Sequence, residues 1–127
     1  MSRINFYDET YRAILNSNHT IDDIDFFSMI EDYGESSYNI WKFTVIQDNS
    51  QEFQFSFDDF KRNANFYYDN GYGIIYINQT LKIIFKDGSF LKRCEYDGLE
   101  WWEFVQIPKK DNNKVYTGKT INFIDTY

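Results

Sequence analysis

Residues 81–107, which read LKIIFKDGSFLKRCEYDGLEWWEFVQI, carry the pattern that decides the fold. Two dipeptides divide this stretch, Asp87-Gly88 and Asp97-Gly98, and such pairs favour the two-residue turns of β-hairpins. The segments around them are rich in the β-branched and aromatic residues of strands. We therefore predict three antiparallel strands in a meander, over residues 81–86, 89–95 and 99–107.

A strand pattern also occurs on both sides of this meander. Apolar side chains alternate over residues 41–46 and again, as three phenylalanines, over residues 52–57. Alternation with a period of two is typical of strands, so these segments predict a further hairpin with one aromatic face. A short helical turn is expected over residues 58–64, and a final strand is expected within residues 114–124.

The first 36 residues instead carry apolar side chains at helical spacing. Residues 5–15 predict a short first helix. Thr20 and Asp23 form an approximate capping box, and Gly34 suits the left-handed position that ends a helix, so a second helix is predicted between them. At 100° per residue, its acidic residues would group within an arc of about 80°. This acidic stripe consists of Asp22, Asp25 and Asp32.

Together these patterns predict an α+β fold. Two N-terminal helices would pack on an antiparallel β-sheet, a meander of about five or six strands. The length of 127 residues suits a single domain, 1–127, with a helical region over 1–36 and the sheet over 37–127. With 43% hydrophobic residues, the chain can close one core without a metal or a disulfide.

The net charge of −7 is concentrated in the first half of the chain. Residues 1–60 contain 12 acidic and 3 basic residues, whereas residues 61–127 contain 8 and 10. Such a surface repels phosphates and attracts Lys/Arg surfaces, so direct binding to nucleic acid is not expected. The single cysteine and the lack of a long apolar segment predict a cytoplasmic protein without a membrane anchor.

Candidate catalytic and metal-binding residues are few. His19, the only histidine, has no local nucleophile motif, and Cys94 suits a half-buried strand position. The sequence lacks the ligand spacings of zinc and calcium sites and the glycine-rich loops that hold phosphates. We therefore expect no catalytic residue, metal or cofactor. The one enzymatic alternative is an acid–base pair among Glu95, Asp97 and Glu100.

Two adjacent tryptophans, Trp101 and Trp102, lie in the last strand of the meander. Neighbouring residues of a strand point to opposite faces, so both cannot enter the same core. We predict that Trp102 lies in the core and that Trp101 is exposed. The outward tryptophan is either covered by other segments of the chain or an anchor of a protein interface, where Trp and Tyr are enriched.

The acidic stripe also has two interpretations. A charged outer face is ordinary for a solvated helix. Yet residues 20–37 contain no lysine or arginine. At 1.5 Å per residue the axial steps between its acids are about 4.5 and about 10.5 Å, which bracket phosphate spacings. The stripe is therefore either a solvated surface or a mimic of nucleic-acid charge.

Motifs in the second half of the chain resemble those of a group of small proteins found on phages and mobile elements of low-GC Gram-positive bacteria. They are FDDF (57–60), NANF (63–66), YD (68–69), GYG (71–73), EYDG (95–98) and EWW (100–102). Leu99 departs from the pattern, because a small polar residue is more usual there. The group has no catalytic or binding residues that could be carried over.

Small acidic phage proteins resemble inhibitors of host defence, such as anti-CRISPR proteins that occlude the DNA-binding groove of a nuclease. The resemblance implies a nucleic-acid mimic in the host cytoplasm that binds a defence complex, for instance a CRISPR effector nuclease. The residues predicted to contact this partner are Asp22, Asp25, Asp32, Glu35, Tyr72, Tyr96, Asp97, Glu100 and Trp101. The alternative is a module that binds or sequesters a small ligand through residues 96–102. The oligomeric state stays open.

Overall fold

Backbone pairing arranges the described residues into a five-stranded antiparallel sheet and a small second sheet. The computed structural model describes residues 3–31, 52–71 and 73–125. Its elements are β1 (Arg3–Asn5), α1 (Phe6–Asn16), β2 (Ile24–Ile30), β3 (Glu52–Phe55), α2 (Phe57–Asn63), β4 (Tyr67–Asp69), β5 (Lys82–Phe85), β6 (Phe90–Tyr96) and β7 (Leu99–Val105). The large sheet has the order β3-β2-β5-β6-β7, and β1 pairs with β4. The predicted α+β class with an antiparallel sheet is confirmed.

Both dipeptide turns join strands of the large sheet. Asp87-Gly88 connects β5 to β6, and Asp97-Gly98 connects β6 to β7. Asp97 has a φ of 51° and Gly98 a φ of 86°, the pair of positive values that a type I′ turn requires. The meander is therefore confirmed, with strand ends within two residues of those predicted.

The second predicted helix is wrong, because its central residues form β2. The capping box of Thr20 and Asp23 exists, but it caps only the 3₁₀ turn Ile21–Asp23. Beyond that turn, β2 pairs with β3 on one side and with β5 on the other. These ladders bury Phe27 completely, and such pairing outweighs a short helical period. The first 36 residues are consequently not all helical.

The two short helices occur where the sequence predicts them. Asn5 caps α1 and Ser56 caps α2, and each side chain accepts a hydrogen bond from the backbone amide three residues on. The aromatic strand is shorter than expected, because Phe57 begins α2 instead of extending β3. The strand predicted over residues 41–46 and the helix stop at Gly34 lie outside the described residues.

Residues 106–125, which follow β7, do not form the predicted final strand. They contain one 3₁₀ turn, Asn112–Lys114, and every residue of the segment is exposed. A strand needs a neighbour that satisfies its backbone groups, and none of the described strands pairs with this segment. The strand-type sequence is present, but within the described chain it pairs with no strand.

The core lies between one face of the large sheet and the two helices. Its buried apolar residues include Phe27, Ile83, Phe85 and Leu91 from the sheet, Phe6 and Ile14 from α1, and Phe60 from α2. The rings of Phe27 and Phe60 stack with 4.7 Å between their centroids. Within the described ranges, no helix is long and apolar enough to cross a membrane.

The paired tryptophans take opposite faces of β7. Trp102 stacks on Phe6 with 6.1 Å between centroids, and its indole N–H donates to the hydroxyl of Thr10 at 2.9 Å. Trp101 lies opposite Cys94 on the other face and is 38% exposed. The assignment of Trp102 to the core side and Trp101 to the surface is confirmed.

Single alanine replacements of the two tryptophans should differ in stability. Trp102→Ala removes a ring packed against the core and leaves the Thr10 hydroxyl without its donor, so we expect a loss of about 3 to 5 kcal/mol of unfolding free energy. Trp101→Ala should cost less than about 1 kcal/mol. Urea unfolding of both variants measures the difference, and equal destabilisation would show that both sheet faces are covered.

Candidate protein-contact site

An exposed aromatic patch lies on the outer face of the β6–β7 hairpin. Cross-strand pairing puts Cys94 opposite Trp101 and Tyr96 opposite Leu99. Tyr96 is 73% exposed, Leu99 52% and Trp101 38%. Directly opposed side chains have Cβ atoms about 4.5 to 5.5 Å apart, so these four residues form one continuous surface. We call them the hairpin patch.

Two exposed carboxylates border the hairpin patch. Asp97 lies in the turn, and Glu103 shares the outer face of β7 with Trp101, whereas the exposed Glu95 lies on the opposite face of β6 with Arg93. Glu103 also forms an exposed ion pair with Lys92, at 3.8 Å. Exposed aromatic rings supply contact area, and the acidic rim makes the surface complementary to a basic one.

The opposite side of the same hairpin is fixed by a buried ion network. The fully buried side chain of Arg93 donates to Glu100 at 3.0 Å and to Glu9 at 3.1 Å. It donates a further hydrogen bond to the hydroxyl of Tyr68 at 3.0 Å, and its guanidinium lies 5.1 Å from the ring centroid of Trp102. The network therefore joins β6 and β7 to α1 and β4.

Glu100 is a structural residue, and its prediction as a contact residue is wrong. Its side chain is fully buried. Besides the guanidinium of Arg93, it accepts hydrogen bonds from the backbone amides of Tyr76 and Ile77 and from the side chain of Gln79. A buried carboxylate needs such donors, because an unpaired charge away from water is strongly unfavourable. Glu100 consequently cannot serve a partner or a substrate at the surface.

Burial and charge also set the titration of this network. Burial lowers the pKa of Arg93, but the charge of Glu9 and the hydrogen bond to Glu100 outweigh it, so the pKa is raised above its usual value. Burial, together with the hydrogen bond that the hydroxyl donates to Glu9, raises the pKa of Tyr68 well above 10.0. Arg93 therefore stays charged and Tyr68 stays neutral at physiological pH.

Two of the motifs that carry the resemblance to phage proteins, GYG and EYDG, lie against each other. Gly71 forms a β-bridge with Leu99. A Cβ on Gly98 would come within 2.5 Å of the backbone of Gly73, so only glycine permits this approach. The loop after β4 therefore packs against the β6–β7 turn.

The predicted acidic residues Asp22 and Asp25 do not join the hairpin patch. They are exposed, but they lie beside the β5–β6 turn, where the amide of Lys86 donates to the carbonyl of Asp23. The hairpin patch lies at the other end of β6, about 20 Å away at roughly 3.3 Å per residue. Because Asp25 belongs to a strand, the helical stripe with phosphate-like steps is wrong.

Three predicted contact residues do come together at the hairpin: Tyr96, Asp97 and Trp101. Three others lie outside the described residues: Asp32, Glu35 and Tyr72. Sequence reasoning missed the network around Arg93. A signal for it existed, because Arg93 shares a strand face with Leu91, and an arginine on an inward face requires buried partners.

His19 has a structural environment. Its ring stacks on Phe85 with 4.0 Å between centroids. Nδ1 lies 2.7 Å from the carbonyl oxygen of Ser17, and Nε2 lies 2.9 Å from the carboxylate of Asp87. Both ring nitrogens therefore donate, and neither can accept a proton from the nearby Ser89, whose hydroxyl donates to Asp87. The arrangement ties the end of α1 to the β5–β6 turn and is not a catalytic triad.

Cys94, in the hairpin patch, is not an activated thiol. Burial raises the pKa of its thiol, and the nearby carboxylate of Glu103 raises it further. The thiol is therefore protonated at neutral pH, whereas a nucleophilic cysteine needs a lowered pKa. Among the described residues, no three His, Cys, Asp or Glu side chains cluster closely enough to hold a metal ion.

An apolar cavity of about 630 Å³ lies away from the hairpin patch. Its walls come from both helices, β2, β3 and residues 76–81, and include Met29, Phe53, Phe55 and Leu81. The small-ligand alternative instead uses residues 96–102. Small-molecule sites bury most of their ligand, and the strongly exposed Tyr96 and Leu99 are poorly suited to that.

Comparison with protein-family models, with curated proteins and with solved structures finds no match for this chain. The resemblance to phage proteins therefore stays a prediction. Function has to be inferred from the geometry of the described residues.

Replacing Arg93 should test the network. Arg93→Met keeps most of the volume but leaves Glu9 and Glu100 without their counter-charge, so we expect a loss of about 3 to 5 kcal/mol of unfolding free energy. The adjacent Lys92→Met breaks only the exposed pair with Glu103 and should cost less than about 1 kcal/mol. Chemical denaturation measures both losses. Similar losses in the two variants would contradict a stabilising role of the network.

The contact between His19 and Asp87 should make stability depend on pH. Burial lowers the pKa of His19, but the hydrogen bonds to Asp87 and to the carbonyl of Ser17 outweigh it and raise the pKa above 6.5. Hydrogen bonds from Ser89 and His19 hold the pKa of Asp87 well below 3.8. The stabilisation that His19 contributes to the folded state is therefore complete below pH 6.5, and it is lost as pH rises through the raised pKa of the histidine. The stabilisation that Asp87 contributes is present above pH 3.8, and it is lost as pH falls through the lowered pKa of the aspartate.

We expect the melting temperature of the protein to exceed that of Asp87→Asn most between about pH 4 and 6.5, with the difference shrinking towards alkaline pH. Melting curves across this range measure it. Asp22→Asn, at an exposed carboxylate, is the matched control and should show no such trend. A difference between the protein and Asp87→Asn that grows above neutral pH would contradict a protonated His19.

Proposed function

We propose that this protein is an anti-CRISPR-like inhibitor from a phage or mobile element that occludes the basic nucleic-acid-binding surface of a host defence nuclease complex. The observation that supports this most directly is the hairpin patch with its acidic rim. Tyr96, Leu99 and Trp101 are exposed side by side, and the carboxylates of Asp97 and Glu103 border them. Such a surface suits a basic protein partner.

The rigidity of the hairpin favours binding. Aromatic side chains are effective interface anchors when they are already positioned, because little conformational entropy is then lost on association. The type I′ turn and the buried contacts of Arg93 fix the hairpin that carries Tyr96 and Trp101. The hairpin patch is therefore preorganised before any partner binds.

The net charge of −7 supports the same choice of partner. A negative protein is attracted to surfaces that have evolved to bind phosphates and is repelled by nucleic acid itself. Attraction of this kind mainly accelerates association, and it weakens at high salt. Occlusion of a nuclease groove thus needs both the general charge and a local contact.

Inhibition of DNA cleavage by purified CRISPR effector nucleases from low-GC Gram-positive bacteria tests the proposal. The protein should inhibit at least one of them, and Tyr96→Ala/Trp101→Ala should weaken inhibition by about 30-fold or more, which corresponds to a loss of about 2 kcal/mol. Tyr67→Ala, at a 61% exposed tyrosine of β4, is the control and should inhibit normally. If no member of the panel is inhibited, the proposal fails.

Two variants with altered charge separate the contact from the general field. Asp97→Asn/Glu103→Lys changes the rim of the hairpin patch, and Asp22→Asn/Asp25→Lys makes the same change in total charge about 20 Å away. Only the first variant should lose most of its inhibition at physiological salt, because screening limits the reach of exposed charges to about 8 Å. Equal losses would place the contact elsewhere.

A further inference from the structure

We draw no further inference here: the strongest candidate, the apolar cavity of about 630 Å³ between the two helices, β2, β3 and residues 76–81, carries none, because nothing in the described part of the chain shows what occupies or covers it.

Discussion

The charge of Arg93 lies in the interior of the protein, where the large sheet meets α1 and β4. Removing a guanidinium from water is unfavourable unless its hydrogen-bond donors find partners. Here Glu9, Tyr68 and Glu100, from three different elements, accept hydrogen bonds from the two terminal nitrogens, whereas the buried Nε finds no partner among the described residues. The rings of Phe6 and Trp102 lie against the cation. Small shifts of α1 or β4 would leave a charge unpaired. The network consequently fixes how these elements sit against one another.

The same network explains why one face of the β6–β7 hairpin can be devoted to contact. Residues alternate faces along β7, so Glu100 and Trp102 secure the hairpin from within while Leu99 and Trp101 face outward. Glu100 also holds the loop after β4 through the amides of Tyr76 and Ile77. An outward aromatic surface can be rigid only if its supports lie on the opposite face, and this hairpin has that arrangement.

The sequence predicts those regions of the fold that local chemistry determines. The Asp-Gly turns, the first helix and the short helix after residue 57 are specified by neighbours within a few residues, and all lie where they are predicted. β2 could not be placed in this way. Its pattern fits a helix until β3 and β5 provide partners, which are distant in sequence. The prediction of the final strand was wrong for the converse reason, because strand-type residues form a strand only when they pair with a neighbouring one, and this segment pairs with none of the described strands.

The candidate site, like the fold, was predicted only where a local pattern determines the position of a residue. Strand alternation predicted that Trp101 and Trp102 lie on opposite faces, but not which of them is exposed. The burial of Glu100 depends on Arg93, Gln79 and two backbone amides that no local pattern reveals. Charge composition predicted the position of the site less well than strand alternation did. Asp22 and Asp25 are acidic and exposed as expected, yet they lie more than a screening length of about 8 Å from the hairpin patch. Negative charge at that distance can guide an approaching partner but contributes little to a contact at Tyr96 and Trp101. The total charge therefore favours a class of partner, and the hairpin determines where that partner could bind.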